Sequence, residues 1–345
     1  MSPPDFLLPL STEPMEARSA DTLPEGEGWQ FEPKWDGFRC LAFKAGDQVE
    51  LRAKSGKPLG RYFPEVVEML AAVKAEQFVV DGELVIEIDG HLSFDALQMR
   101  LHPAESRIKK LSRETPARLV LFDMLATPRG EVLVDRPLVE RRAALDSFAK
   151  AAAVKDRLLL SPCTAKRKDA QAWLSDTSDS GTDGVVAKPL HETYHTGERM
   201  MVKVKRLRTA DCVVGGFRYA AKSRKVGSLL LGLYNEDGRL DHVGFTSTIS
   251  NAERSELTER LEGLRSPPGF SGKAPGGPSR WSTDRSVEWE PLKPELVVEV
   301  RFDHVTSDRF RHGTKLLRWR PDKAARQCTF EQIHPPAAEV KTKHS

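Results

Sequence analysis

The octapeptide Glu32-Pro33-Lys34-Trp35-Asp36-Gly37-Phe38-Arg39 sets a lysine beside a glycine turn and between charged neighbours. A free lysine amine has a pKa of about 10.4, so exposing its lone pair at neutral pH costs roughly 4 to 5 kcal/mol. Nearby cations or a metal-bound nucleotide reduce that cost by destabilising the ammonium. A nucleophilic Lys34 therefore requires further lysines, arginines and metal-binding carboxylates from elsewhere in the chain. Taken alone, K-x-D-G also describes a solvated lysine in a turn between two strands.

Further segments supply such groups. They are Phe78-Val79-Val80-Asp81-Gly82-Glu83-Leu84, Leu119-Val120-Leu121-Phe122-Asp123-Met124-Leu125, Asp183-Gly184-Val185-Val186-Ala187-Lys188, Met201-Val202-Lys203-Val204-Lys205-Arg206 and Arg318-Trp319-Arg320-Pro321-Asp322-Lys323. With the first octapeptide, this ordered series resembles the six nucleotidyltransferase motifs of the ATP-dependent DNA ligases. It is most similar to the bacterial stand-alone ligase C type and to the ligase domain of ligase D. The resemblance runs from about Phe31 to Lys323.

The resemblance implies that Lys34 attacks the α-phosphate of ATP, that AMP then passes to a 5′-phosphate, and that an adjacent 3′-hydroxyl displaces it to seal a nicked duplex. Such displacements need in-line geometry and charge neutralisation, which lysines and a divalent cation provide. It further implies that Glu32 accepts a hydrogen bond from the adenine amino group and that Phe122 stacks on the base. Arg39 and Lys188 join the nucleotide site, and Lys203 and Lys205 grip phosphate. The last two alternate on an expected strand and so share a face. Glu83 and Asp183 supply carboxylates for Mg2+ or Mn2+ and for the ribose. Arg320 and Lys323 orient the pyrophosphate leaving group from a second domain, which implies a swing about a hinge near Arg206 to Asp211.

Two positions depart from the family pattern. The metal position more often carries Glu before its glycine, and Asp183 is one methylene shorter. Lys54, in Leu51-Arg52-Ala53-Lys54-Ser55-Gly56, stands where the family often has arginine. A lysine there meets the 5′-phosphate as a point charge rather than through a bidentate fork.

These residues need elements to carry them. The chain has 345 residues, enough for two domains. Runs of β type alternate with helical ones: strands over 37–43, 49–53, 78–88, 118–122 and 185–188, and helices over 64–73, 136–150 and 168–175. Ser178 to Gly184 reads as a turn. Residues up to about Trp29 read as an extended segment. After Arg208, short strands over 212–218, 228–234, 240–245, 287–290 and 296–302, with a helix over 251–264, have OB-fold spacing. Ser266 to Ser279 reads as a turn-rich loop and Pro335 to Ser345 as a frayed tail. The expected class is α+β: a nucleotidyltransferase (ATP-grasp-like) adenylation domain over 1–207, followed by an OB-fold β-barrel domain over 208–345.

Composition narrows the classes. Scattered Cys40, Cys163, Cys212 and Cys328 give neither a zinc pair nor a disulfide framework, which disfavours an NAD-dependent ligase. The N-terminus has no basic start or long apolar run, so a cytoplasmic location is expected, with no membrane partner. A net charge of +3 conceals a basic run between Met201 and Lys225 in which eight Lys and Arg residues face one acid, Asp211. That is the footprint of a polyanion-binding surface, or else a solvated face. An RNA ligase, an mRNA-capping guanylyltransferase and a non-catalytic OB-fold binding protein remain alternatives. The expected partner is nicked double-stranded DNA, the expected state a monomer, and a Ku-like or primase-polymerase partner is left open.

Overall fold

The computed structural model describes residues 5–152, 157–175, 181–276 and 288–334. Expectations for Ser178 to Ser180, Val287, the end of the turn-rich loop after Gly276 and the tail after His334 lie outside these residues. The chain divides into two compact units, Met1–Arg206 and Leu207–Ser345.

Two sheets build the first unit. One has four strands in the order Ala17–Ala20, Met201–Lys205, Thr182–Pro189, Trp29–Trp35. The other has five, in the order Gln48–Ala53, Phe38–Ala45, Gln77–Val85, Arg118–Ala126, Leu158–Leu160. Two pairings are parallel, Ala17–Ala20 with Met201–Lys205 and Arg118–Ala126 with Leu158–Leu160; the rest are antiparallel. The strand Phe38–Ala45, apolar apart from Arg39 and Lys44, is covered on both faces. Cys40 and Ala42 enter a core shared with the helices Pro64–Ala71 and Leu138–Ala152, while Leu41 and Phe43 enter a second core with Met15, Tyr194 and Met201. A strand covered on both faces has no polar side to show.

The second unit has one core, a small two-stranded sheet of Val305–Thr306 with Arg309–Phe310, and a main sheet in the order Leu240–Thr246, Val226–Tyr234, Arg208–Tyr219, Val297–Phe302, Lys315–Trp319. Its two outer strands meet through one parallel bridge, Thr246 to Thr314, supported by a bond from Thr246 Oγ1 to the Thr314 carbonyl (2.9 Å). With the helix Arg254–Glu262 between the third and fourth long strands in chain order, this is the OB-fold arrangement, its outer strands touching at that one bridge.

The structure corrects several expected elements. The fifth strand of the barrel is Lys315–Trp319; Glu290–Pro291 is a two-residue side pairing on Gly216 and Phe217. The supposed extended segment docks as the strand Ala17–Ala20. Two helices, Phe94–Arg100 and Glu105–Glu114, were not anticipated. The second buries a single side chain, Ile108, and so has no apolar stripe to betray it.

Candidate active site

Strand alternation brings the first sheet's functional residues to one face. Glu32 lies opposite Val186, which lies opposite Lys203, so one row crosses three strands. Two residues along, Lys34, Lys188 and Met201 point the same way. The second sheet contributes Arg39, paired in register with Glu83, and Phe122. Asp36 and Gly37 carry the chain from one sheet to the other. A Cβ at Gly37 would stand 2.1 Å from the Leu84 carbonyl oxygen, so no other residue fits without moving the strand. At Gly184 the same atom would lie 2.2 Å from the Val204 carbonyl, which accounts for the glycine after Asp183. Glycine in these motifs permits strand contact as well as turning.

The result is a cavity of about 190 Å3 whose lining includes Glu32, Lys34, Arg39, Lys54, Glu83, Phe122, Lys188 and Lys203. Eight of the expected residues are thus gathered at one place. Asp183 sits behind the lining and bonds Lys34, its Oδ1 2.6 Å from Nζ. Lys205 does not line the cavity, and Arg320 and Lys323 belong to the second unit.

The charges are matched unevenly. Glu32 Oε1 accepts from Lys188 Nζ (2.9 Å) and from Gln30 Nε2 (2.8 Å). Among the described residues Oε2 accepts no hydrogen bond, which leaves it open to a donor in the cavity. Lys188 also donates to the Phe122 carbonyl (3.0 Å) and stands 4.5 Å from the ring centroid. The Arg39 guanidinium lies 4.5 Å from the same centroid. It is held by Asp81 through Nε and Nη2, both at 2.6 Å, and Asp81 also accepts from the Tyr194 hydroxyl at 2.5 Å. Arg39 is thus a half-buried lining residue whose Nε and Nη2 are held by Asp81.

Burial pushes the Glu83 carboxyl up to about 8, against the pull of Arg39 and Lys34. Burial, then the charges of Lys34, Lys205, Lys54 and Arg199, lower Lys203. A carboxyl kept protonated by burial beside two cations, and a lysine crowded by other cations, mark a site whose charges are not matched within the protein. Glu83 and Asp183 offer hard oxygen donors, and no group of three or more His, Cys, Asp or Glu gathers among the described residues. Two carboxylates suit magnesium, which keeps waters and takes phosphate oxygens for the rest of its shell.

Several residues were not foreseen. Glu16 binds Lys54 (2.9 Å) and Arg199 (3.5 Å), and the hydrogen bond from Lys54, helped by the charges of both, draws its carboxyl below the usual range against burial. Met15 donates its backbone N–H to the Tyr194 hydroxyl (3.0 Å), tying the N-terminal segment to the Asp81 network. The basic run also proves to be shared between units. Arg206 donates to the Trp173 carbonyl (2.7 Å) in the first, and Arg208 lies 4.8 Å from the Phe302 ring in the second.

In the second unit the expected leaving-group cations are paired. Asp211 accepts from Arg320 Nη1 (2.9 and 3.0 Å) and from Lys323 Nζ (2.7 Å), while Asp322 takes Arg320 Nε and Nη2 (2.9 and 2.8 Å).

Two sheets closing on a strand-end lysine, joined to an OB-fold unit, define a nucleotidyltransferase. A family model for the ATP dependent DNA ligase domain matches residues 14–205, and one for the ATP dependent DNA ligase C terminal region matches residues 222–323. DNA ligase C2 of Mycolicibacterium smegmatis is 42% identical over 338 residues, and DNA ligase C of Mycobacterium tuberculosis 43% identical over 338, each alignment covering 94% of both chains. A solved Lig E DNA ligase shares the fold, with a TM-score of 0.56 and 17% identity over 89% of this chain and 99% of that one. The chain belongs to the ATP-dependent DNA ligase family.

Proposed function

We propose that this ligase works through three displacements led by Lys34. The Nζ lone pair attacks the α-phosphorus of ATP, an N–P bond forms, and the P–O bond to pyrophosphate breaks. The 5′-phosphate of a nicked duplex then takes AMP from Lys34, and the neighbouring 3′-hydroxyl displaces AMP as the phosphodiester forms. The observation that carries this reading is Lys34 at the cavity wall, its Nζ bonded at 2.6 Å to Asp183. Asp183 orients the amine and is placed to take its proton.

Around that centre Glu32 reads the adenine amino group through Oε2, Phe122 supports the base, and Lys188 and Lys203 hold phosphate oxygens. Arg39 keeps the Phe122 ring in place, and Lys54 meets the 5′-phosphate. Arg320 and Lys323 act on the leaving pyrophosphate. Magnesium or manganese, held by Glu83 with Asp183 through water, would neutralise phosphate charge. Repair of broken strands, as a monomer in the cytoplasm, is the setting we assign; among the described residues no helix is long and apolar enough to cross a membrane.

Incubation with labelled ATP, then with labelled GTP, followed by denaturing electrophoresis and a nicked-duplex sealing assay tests the reading. Label from ATP that survives denaturation, with sealing of the nick, is expected. Label from GTP in its place would indicate guanylyl transfer, and the lack of any covalent label would defeat the proposal.

A further inference from the structure

We infer that Asp211 is a positioning residue for the first displacement, a buried carboxylate that sets Arg320 and Lys323 as a pair. The inference rests on the reading that these two cations act on the leaving pyrophosphate.

Arginine and lysine three positions apart repel one another, and their long side chains have many rotamers to lose. Here both end on one carboxylate. Asp211 is 8% exposed, and it draws Arg320 Nη1 and Lys323 Nζ to within 2.7–3.0 Å of its oxygens. The anchor is itself secured. Gln332 donates its Nε2 to the Asp211 carbonyl (3.0 Å) and accepts the Asp211 backbone N–H on its Oε1 (2.9 Å), so one side-chain amide grips both sides of the residue. Asp211 also lies within the central strand Arg208–Tyr219, paired with Glu299 of the neighbouring strand Val297–Phe302. A rigid ladder thus fixes the carboxylate, and the carboxylate fixes the cations.

What remains free has the right chemistry. Lys323 uses one of its three ammonium N–H groups on Asp211, and its other two meet no partner among the described residues. The second carboxylate on Arg320, Asp322, is 63% exposed and lies on the same short segment, so it is easily displaced. Asp211 is neither. Losing it would leave two partly buried cations unanchored, whereas a phosphate oxygen can replace Asp322 at little cost. The Asp211 carboxylate therefore remains in place while a triphosphate recruits the donors it presents.

Asp211→Asn keeps the shape and removes the charge. In the full chain it should slow lysyl-AMP formation at saturating ATP about 30-fold, corresponding to about 2 kcal/mol of lost positioning, and leave the KM for ATP within about threefold. Sealing of a nick that already carries AMP should stay within about twofold, because no pyrophosphate leaves in that step. Asp211→Glu should recover part of the rate, and Gln332→Ala should show the same step selectivity at about three- to fivefold. Equal losses on ATP and on the pre-adenylated nick would show a merely structural role and overturn the inference. So would an unchanged rate with ATP. If Arg320→Ala and Lys323→Ala themselves left the first step intact, the underlying leaving-group reading would fail instead, whatever Asp211→Asn did.

Discussion

The cavity of the first unit and the cation cluster of the second treat charge in opposite ways. Around Lys34 the charges are gathered but incompletely matched: Lys203 is lowered by burial and its cationic neighbours, and Glu83 is held up to about 8 by burial. Around Arg320 every strong charge is paired within the unit, by Asp211 and Asp322. On the proposed mechanism the first arrangement receives a charged nucleotide directly. On the same proposal the second holds its cations in reserve, on a carboxylate that stays and one that leaves, and the two units serve different parts of the reaction.

The largest break in this contrast should come from Lys34→Ala. It should abolish covalent AMP transfer, a loss of at least about 1000-fold in labelling, while the melting profile is retained. Persistent label would move the nucleophile elsewhere. Next, Arg320→Ala or Lys323→Ala should cut lysyl-AMP formation by about 100-fold and largely spare sealing of a pre-adenylated nick, as measured by single-turnover assays of each step. Equal defects in both would remove the division of labour. Glu32→Ala should have a smaller effect, about tenfold on ATP use, with the ATP-to-GTP preference relaxed. An unchanged ratio would assign Glu32 to holding Lys188 alone.

The last effect concerns stability and its dependence on pH in the second unit. Burial, then the charges of Arg309 and Arg218, lower His242 from 6.5 to about 3. Its Nδ1 lies 3.2 Å from Arg309 Nη2, a group that can donate but not accept, so the imidazole is neutral. A depressed folded value gives stability that is complete above pH 6.5 and lost as pH falls towards 3. The second unit should therefore lose about 2 kcal/mol between pH 7 and pH 5, and His242→Asn should flatten that slope in thermal melts. An equal slope in the variant would clear His242 of the effect.

Much of this organisation was legible in the sequence, for reasons that differ by element. The strands Phe38–Ala45 and Val226–Tyr234 are largely apolar because they are buried, and both match the sequence reading within two residues. The exposed edge strand Lys315–Trp319 shows no such signal and was missed as the closing strand. Site residues on regular strands followed from the motifs, and alternation set Glu32 with Lys34 on one face of their strand and Lys203 with Lys205 on one face of theirs, of which Lys203 lines the cavity. The bond between Lys34 and Asp183 did not follow from it. It depends on a register shift between Thr182 and Val185 that breaks the alternation Asp183 would otherwise obey. Glu16 and Tyr194 were invisible for a simpler reason: their roles come from partners at positions 54, 199 and 81, and nothing near them in sequence marks those contacts.

The account depends most on the identity of the nucleophile. Incubating the full chain with ATP and a divalent cation in the absence of DNA, followed by peptide mapping under conditions that preserve phosphoramidates, reads it directly. AMP should be found on the peptide containing Lys34 and nowhere else, and adding nicked DNA should discharge it. AMP on any other residue, or an adduct on Lys34 that nicked DNA fails to remove, would contradict the account.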